Sequence, residues 1–441
     1  MCYMLLKIMR GWMPPVILLA DANNFYASCE AALNPQLAGK PLLVLSNNDG
    51  CIVARSAAAK KLGFKMGQPL FQCLDLVKKH EVEVVSSNYP LYADMSARVM
   101  QVLARFAPQV EPYSIDEAFL ALPSFSPAEL DWHSKTLRDT VRRWTGITVS
   151  VGLAITKTLA KIANERAKKV PELEGVFDIS AYSAEKLDEL LANTEVEDVW
   201  GIGRQRGRLL RQYGYSTAYD LKYAPDGWLK KNLTITGLWT AWELRGIPCL
   251  PLELAPPPKK AIACTRSFGG PVTKLAELRE AVATYSSRVA EKLRGQGSVA
   301  GVIQVFIHTN HFNPKEPYYG RHYTMRLAQP SSFSPTLVNY AQHALEQIYR
   351  PGYRYIKAGV IVTDISSQSA LQLGLLEGPD PWEVEEEGRL MTAVDTLNQR
   401  FGREKVRLAS SGLERRWWMK QTRLSPRYTT NWQELPIAFA T

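Results

Sequence analysis

Apolar residues gather in short runs along this chain, and two of the runs meet acids. Val16 to Ala20 is Val-Ile-Leu-Leu-Ala and stops at Asp21, while Tyr-Ser-Ile-Asp-Glu-Ala-Phe-Leu at 113–120 carries Asp116 and Glu117. Runs of this length, bounded by polar residues, predict buried strands, as do 41–45 and 148–155. Between them the apolar spacing predicts helices over 23–33, 52–62, 95–106, 130–144 and 158–169, with Asn34-Pro35 and Gly63 closing the first two. Interleaving of this kind predicts an α+β sheet domain with an insertion between its first helix and its second long one. From about 181 to 250 the pattern is helical and basic, and Pro256-Pro257-Pro258-Lys259-Lys260 predicts a linker. Helices over 276–294 and 335–349 and strands over 300–309 and 357–365 then predict a second small α+β domain. From about Gln368 the chain is rich in Gln and Gly, then acidic at Glu383 to Glu387, then aromatic and basic.

Charge changes the picture. Lys and Arg number 53 against 43 Asp and Glu, a formal +10 with pI about 9.2, which favours a polyanionic partner such as nucleic acid over an anionic membrane surface. The six cysteines are scattered without a C-x-x-C, which argues against zinc or a disulfide framework and suits a reducing cytoplasm. Lys7, Arg10 and Pro14-Pro15 break any signal-like stretch, so Met1 to Pro15 reads as an extension and Met13 as an alternative start. Nothing approaches the roughly 20 apolar residues of a membrane span.

The acids carry the chemistry. A carboxylate in apolar surroundings is costly unless it is paired or holds a metal. Three brought together from two strands need a compensating cation, and a pair of divalent ions suits nucleotidyl transfer. Asp21, Asp116 and Glu117 are therefore the candidate catalytic centre. Lys157, Lys161 and Lys168 are spaced to share one helix face, either a solvated basic face or a clamp on a triphosphate, and Arg55 and Lys60 on the expected helix 52–62 are a second candidate. Trp200-Gly201-Ile202-Gly203-Arg204 has no strand before it and the wrong spacing for a dinucleotide fingerprint. It fits a helix-hairpin-helix whose Gly201 and Gly203 let backbone N–H groups approach a phosphate, with Arg204 adding charge. Phe25-Tyr26, about one turn past Asp21, reads by spacing alone as core. A nucleotidyl cyclase could place paired acids and two metals on a similar sheet, but it needs no basic hairpin. An inactive DNA-binding accessory protein would lose an acid, and all three are present.

Taken together, Asp-Ala-Asn-Asn-Phe-Tyr-Ala-Ser-Cys-Glu (21–30), Leu-Ser-Asn-Asn-Asp-Gly-Cys (45–51), Ser-Ser-Asn-Tyr-Pro-Leu-Tyr-Ala-Asp-Met-Ser (86–96), Tyr-Ser-Ile-Asp-Glu-Ala-Phe (113–119) and Thr-Lys-Thr-Leu-Ala-Lys-Ile-Ala-Asn (156–164) resemble the Y-family, or translesion, DNA polymerases. Val-Trp-Gly-Ile-Gly-Arg (199–204), Arg-Ser-Phe-Gly (266–269), Glu-Pro-Tyr-Tyr-Gly (316–320), Lys-Ala-Gly-Val (357–360) and Leu-Ser-Pro-Arg-Tyr-Thr-Thr (424–430) extend the match from about 16 to 438 and narrow it to the UmuC-type branch.

The resemblance implies a multidomain α+β right hand. Its parts would be an N-terminal extension (1–15), a ferredoxin-like palm (16–35 and 93–178), small fingers (36–92), a helix-hairpin-helix thumb (179–250), a linker (251–260), an α/β little finger (261–367) and a partner-binding tail (368–441). It implies error-prone, template-directed synthesis past damaged bases in the SOS response. Asp21, Asp116, Glu117 and the Ala22 carbonyl would hold two Mg2+ ions, with Mn2+ able to substitute. Tyr26 matches the steric gate against a 2′-hydroxyl, which overturns the core reading there, while Phe25 beside it stays closer to core. Lys168 and more loosely Lys60 match triphosphate ligands of that family, Arg55 and Phe25 stand beside them as further candidates for binding the nucleotide, and Ala57 stands where some relatives use Tyr. Gln372, Leu373, Leu375 and Leu376 resemble a sliding-clamp peptide lacking its final aromatic. Besides primer-template DNA and dNTP, the implied partners are a processed UmuD-type dimer and the RecA filament.

Overall fold

The computed structural model describes residues 15–370 and 381–435, which divide into two compact units, 15–46 with 51–256 and 423–435, and 47–50 with 257–370 and 381–422. Among the described residues no helix is long and apolar enough to cross a membrane.

The first unit opens with β1 (Val16–Ala22), α1 (Phe25–Leu33), β2 (Leu42–Leu45), β3 (Ile52–Arg55), α2 (Ala57–Lys61), α3 (Leu74–Lys79), β4 (Glu83–Ser86) and α4 (Tyr89–Leu103). The helix expected over 52–62 is thus a strand followed by a short helix. Branched Ile52 and Val53 favour the extended chain, β3 pairs with β2, and the Ser56 hydroxyl accepts from Ala59 N at 3.3 Å to start α2 afresh. Arg55 therefore sits on a strand end. Strands β2, β3 and β4 form one small sheet of order β3-β2-β4, which leaves β4 at an edge.

Next come β5 (Gln109–Pro112), β6 (Glu117–Leu122), α5 (Pro127–Thr145), β7 (Val149–Ala154), α6 (Lys157–Lys169) and β8 (Val176–Asp178). The strand expected over 113–120 is a hairpin, with 113–116 its turn. The sheet order is β5-β6-β1-β7-β8, so β1 is central and pairs antiparallel with β6 and β7. Alternation along β1 sends Leu18, Ala20 and Ala22 into a core with α1, α4 and α5, and Leu19 with Phe119 into another beneath α6. Asp21 and Glu117 share the parity of that second face. Gly152 lets α6 lie close on the sheet, because a Cβ there would meet the backbone of Ala160 and Asn164. Helices α7 (Ala184–Ala192), α8 (Arg204–Gln212), α9 (Ala218–Tyr223) and α10 (Asp226–Leu244) complete this part, α10 being broken at Thr234 (φ 67°, ψ −176°).

In the second unit β9 (Ile262–Val272), β10 (Ser298–Thr309), β11 (Gly320–Ser331) and β12 (Tyr355–Ser367) form an antiparallel sheet of order β11-β10-β12-β9. Helices α11 (Leu275–Gly295) and α12 (Ser334–Ile348) contribute Leu278, Val282, Val289, Leu337 and Leu345 to its core. The sequence pattern did not reveal β9 or β11. In β9 the alternation breaks at Gly269-Gly270-Pro271, and β11 is an edge strand with mostly exposed side chains. The acidic run lies on α13 (Pro381–Phe401), held to α11 by Arg294, whose Nε and Nη2 donate to Asp395 at 2.7 and 2.8 Å.

Candidate active site

Asp21, the last but one residue of β1, lies directly opposite Glu117, the first residue of β6, and Ala22 N donates to the Asp116 carbonyl at 2.8 Å. The antiparallel register alone therefore brings Asp21, Ala22, Asp116 and Glu117 to one end of the central strands. Ser114 shapes the turn: its hydroxyl accepts from Asp116 N and Glu117 N at 3.2 and 3.1 Å and donates to Asp116 Oδ1 at 2.5 Å. Sequence reasoning passed over Ser114, although a serine two residues before an acid in a turn is the signal of such a cap.

The motif 156–164 becomes intelligible on α6. The Thr156 hydroxyl caps the helix at Leu159 N, and Asn164 Nδ2 donates to the carbonyls of Leu19 and Ser150 at 3.2 and 2.7 Å, pinning helix to sheet. Lys161 Nζ reaches both Glu117 oxygens at 3.1 and 3.0 Å and lies over the rings of Tyr113 and Trp200, while Lys168 Nζ is 2.6 Å from Asp21 Oδ2. Burial is the main cause that lifts the Asp21 carboxyl to about 7. Lys168 opposes it, and the neighbouring Glu117 adds to it. Among the described residues no three His, Cys, Asp or Glu side chains are gathered into a metal-binding group; two of the acids rest on lysines instead.

Lys157 does not join a triphosphate clamp. It is 4% exposed, paired with buried Glu111 and donating to the Pro251 carbonyl at 2.8 Å, because position 157 faces inward over Phe119. Lys157→Ala is expected to destabilise the fold by about 3–5 kcal/mol by stranding Glu111, measured by urea unfolding. Lys161 is likewise taken up by Glu117.

Lys60, Arg55 and Lys168 form a cationic group near Asp21. Burial, then the charges of Arg55 and Lys168, push the Lys60 ammonium below its usual range. Arg55 donates through Nη1 to the Phe64 carbonyl, and its Nε is buried without a hydrogen-bond partner. Asn24, left-handed at φ 52°, turns the chain from β1 into α1, where Phe25 is buried at 4% exposure and Tyr26 is only partly buried. Tyr26 stacks on Tyr92 with ring centroids 4.4 Å apart and planes 14° apart. Its hydroxyl is pushed up by burial first, then by the charges of Tyr89 and Asp116.

Gly201, at φ +87°, turns the chain into α8, where Gly203 is the cap residue without a side-chain cap and Arg204 is exposed. A single 3-10 turn, Val196–Asp198, precedes the loop rather than a full helix. Arg206 braces it, donating to the Gly201 carbonyl and to Thr236 Oγ1 at 3.1 and 3.0 Å. The clamp-like residues Gln372, Leu373, Leu375 and Leu376 lie outside the described residues.

Comparison with known proteins converges on one group. The impB/mucB/samB family matches residues 20–165, its C-terminal domain matches 259–375, and a domain of unknown function matches 388–438. The chain is 43% identical to protein UmuC of Salmonella typhimurium, over 95% of this chain and 98% of that one. It is 41% identical to protein ImpB of Salmonella typhimurium over 95% and 99%, and 28% identical to DNA polymerase IV of Dehalococcoides mccartyi over 66% and 73%. Among solved structures, a Y-family DNA polymerase chimera of Dbh and Dpo4 superposes with a TM-score of 0.65 at 20% identity, covering 80% of this chain and 99% of the other. An insertion ternary complex of Dbh DNA polymerase gives 0.53 at 19% identity, covering 80% and 99%.

Proposed function

Because the chain belongs to the impB/mucB/samB family and, within it, to the UmuC-type Y-family DNA polymerases, we propose that Asp21, Asp116 and Glu117 are the centre at which it extends a primer opposite damaged template bases. It is a DNA-directed DNA polymerase of the translesion class. The observation that carries the site reading is the cross-strand pairing of Asp21 with Glu117 beside Asp116.

The donors suit a hard divalent cation. One ammonium at 2.6 Å leaves the Asp21 carboxyl raised to about 7, so Lys168 does not offset burial and the Glu117 charge together. Oxygen ligands of this kind favour Mg2+, with Mn2+ as a substitute. Asp21, Asp116, Glu117 and the Ala22 carbonyl would hold two such ions, which would ease loss of the 3′-hydroxyl proton and neutralise the triphosphate. Lys168, freed from Asp21, joins Lys60 and Arg55 in binding the phosphates of the dNTP. Tyr26 excludes a 2′-hydroxyl, and Phe25 holds the gate helix in the core. The Gly201–Gly203 loop and Arg204 grip a DNA phosphate without reading bases.

In the same reading the enzyme serves the SOS response. Its tail meets the processed UmuD-type dimer and the RecA filament, and the 372–376 peptide docks on the sliding clamp. The test is primer extension across an abasic site with magnesium and these partners, wild type beside Asp116→Ala. Bypass by wild type alone is expected; equal extension by the variant would remove the acids from the mechanism.

A further inference from the structure

Two of the sequence motifs, 86–96 and 424–430, meet in the first unit. Residues 423–424 meet the last residue of the edge strand β4: Ser86 N donates to the Arg423 carbonyl at 2.9 Å, Arg423 N donates to Ser86 Oγ at 3.0 Å, and Leu424 forms a parallel bridge to Ser86. Asn88 then takes hold of the segment. Its Oδ1 caps α4 by accepting from Leu91 N, while Nδ2 donates to Ser425 Oγ at 3.0 Å and to the carbonyls of Ser425 and Pro426 at 3.2 and 3.3 Å.

From there a single relay leads to the nucleotide site. Ser425 Oγ donates to Glu30 Oε1 at 3.1 Å, and Tyr92 OH donates to the same oxygen at 2.6 Å. Glu30, on α1 one turn beyond Tyr26, is 1% exposed. A buried carboxylate needs donors, and here one comes from α4 and one from the C-terminal segment. The ring that Glu30 holds, Tyr92, is the ring stacked on Tyr26. Tyr428 packs against the same core and Tyr89 closes the edge of the cluster at 6.0 Å from Tyr26.

We propose that residues 423–428 are a strap that positions the sugar-discriminating aromatic pair, with Ser425 acting through Glu30 and Tyr92 on Tyr26. The inference rests on the reading of Tyr26 as the gate. It assigns a role to the end of a region matched only as a domain of unknown function. Tyr26 sits in the first turn of α1, partly exposed, and its ring plane is set by the stack with Tyr92. Loss of a donor to Glu30 loosens Tyr92, which broadens the orientations of Tyr26 and lets a ribose through. Ser425 and Glu30 are positioning residues; neither has a place in the acid centre.

The experiment is single-nucleotide incorporation opposite an undamaged base, dNTP against rNTP, by the full chain with its partners. The ratio of the two efficiencies is read within one preparation, so that loss of active protein cancels. Ser425→Ala and Tyr92→Phe are each expected to lower the deoxy/ribo preference about threefold to tenfold, the size of one hydrogen bond's net contribution, and Ser425→Thr to restore it. Tyr26→Ala runs beside them. A preference lost in Tyr26→Ala but unchanged in Ser425→Ala and Tyr92→Phe overturns the strap while leaving the gate. A preference unchanged in Tyr26→Ala overturns the gate and the strap with it.

Discussion

Asp21→Asn should abolish nucleotide addition, by three or more orders of magnitude, while the protein retains primer-template binding and becomes more stable in metal-free buffer at pH 8. On the proposed two-cation reading, the activity loss follows from removing an oxygen ligand where transition-state charge is offset, worth several kcal/mol. The stability gain follows from the raised Asp21 carboxyl. A carboxyl at about 7 when folded, against 3.8 for an unperturbed aspartate, binds its proton more tightly in the native state. Folding is thus favoured at low pH, and that contribution is lost as pH rises from about 4 through about 7. The upper bound is roughly 4 kcal/mol for about three pH units, since the side chain is only 11% exposed. Urea midpoints at pH 5 and pH 8 in EDTA check it. Wild type should lose more stability between the two than Asp21→Asn does, and magnesium should recover wild type alone. Equal pH slopes for the two proteins would mean that burial does not tax this carboxylate. A group of this kind, costly to the apo fold, fits the cation site proposed for it.

Much of this centre was legible because it depends on strand register. Apolar runs broken by acids predict strand ends, and an antiparallel pair then sets Asp21 across from Glu117 with no long-range information beyond the pairing itself. Side-chain partners were not legible in the same way. Lys157, Lys161 and Lys168 have nearly the same helical phase, yet one is buried on Glu111 and the others rest on acids at the sheet end, because each lies at a different height along α6 and so meets different neighbours. The segment 52–62 misled because Ala57-Ala58-Ala59 is helical by propensity while Ile52 and Val53 belong to the sheet; Ser56 marks the change. Least visible was Ser425, which lies 395 residues from the carboxylate it reaches. A lone serine in an aromatic, basic tail carries no periodic signal, and only the fold shows that it returns to α1.

Tyr26→Ala should lower the preference for deoxynucleotides about a hundredfold while leaving deoxynucleotide addition within a few-fold of wild type. The argument is steric. Tyr26 is held edge-on to Tyr89 and flat against Tyr92, so its ring cannot swing away without breaking the 4.4 Å stack. A 2′-hydroxyl would have to displace that cluster, whereas a 2′-hydrogen would not, and discrimination by exclusion of one small group is of this order. Truncation to Ala opens the space without touching Asp21, Asp116 or Glu117, so the chemistry should persist. The Tyr26 hydroxyl is pushed up by burial and by the charge of Asp116, which keeps the ring neutral throughout the working pH range. Tyr26→Phe, which keeps the ring and drops the hydroxyl, should therefore retain most of the selectivity. Ribonucleotide insertion measured for the three proteins separates the roles: a Phe variant as permissive as the Ala variant would shift the gate from the ring to the hydroxyl.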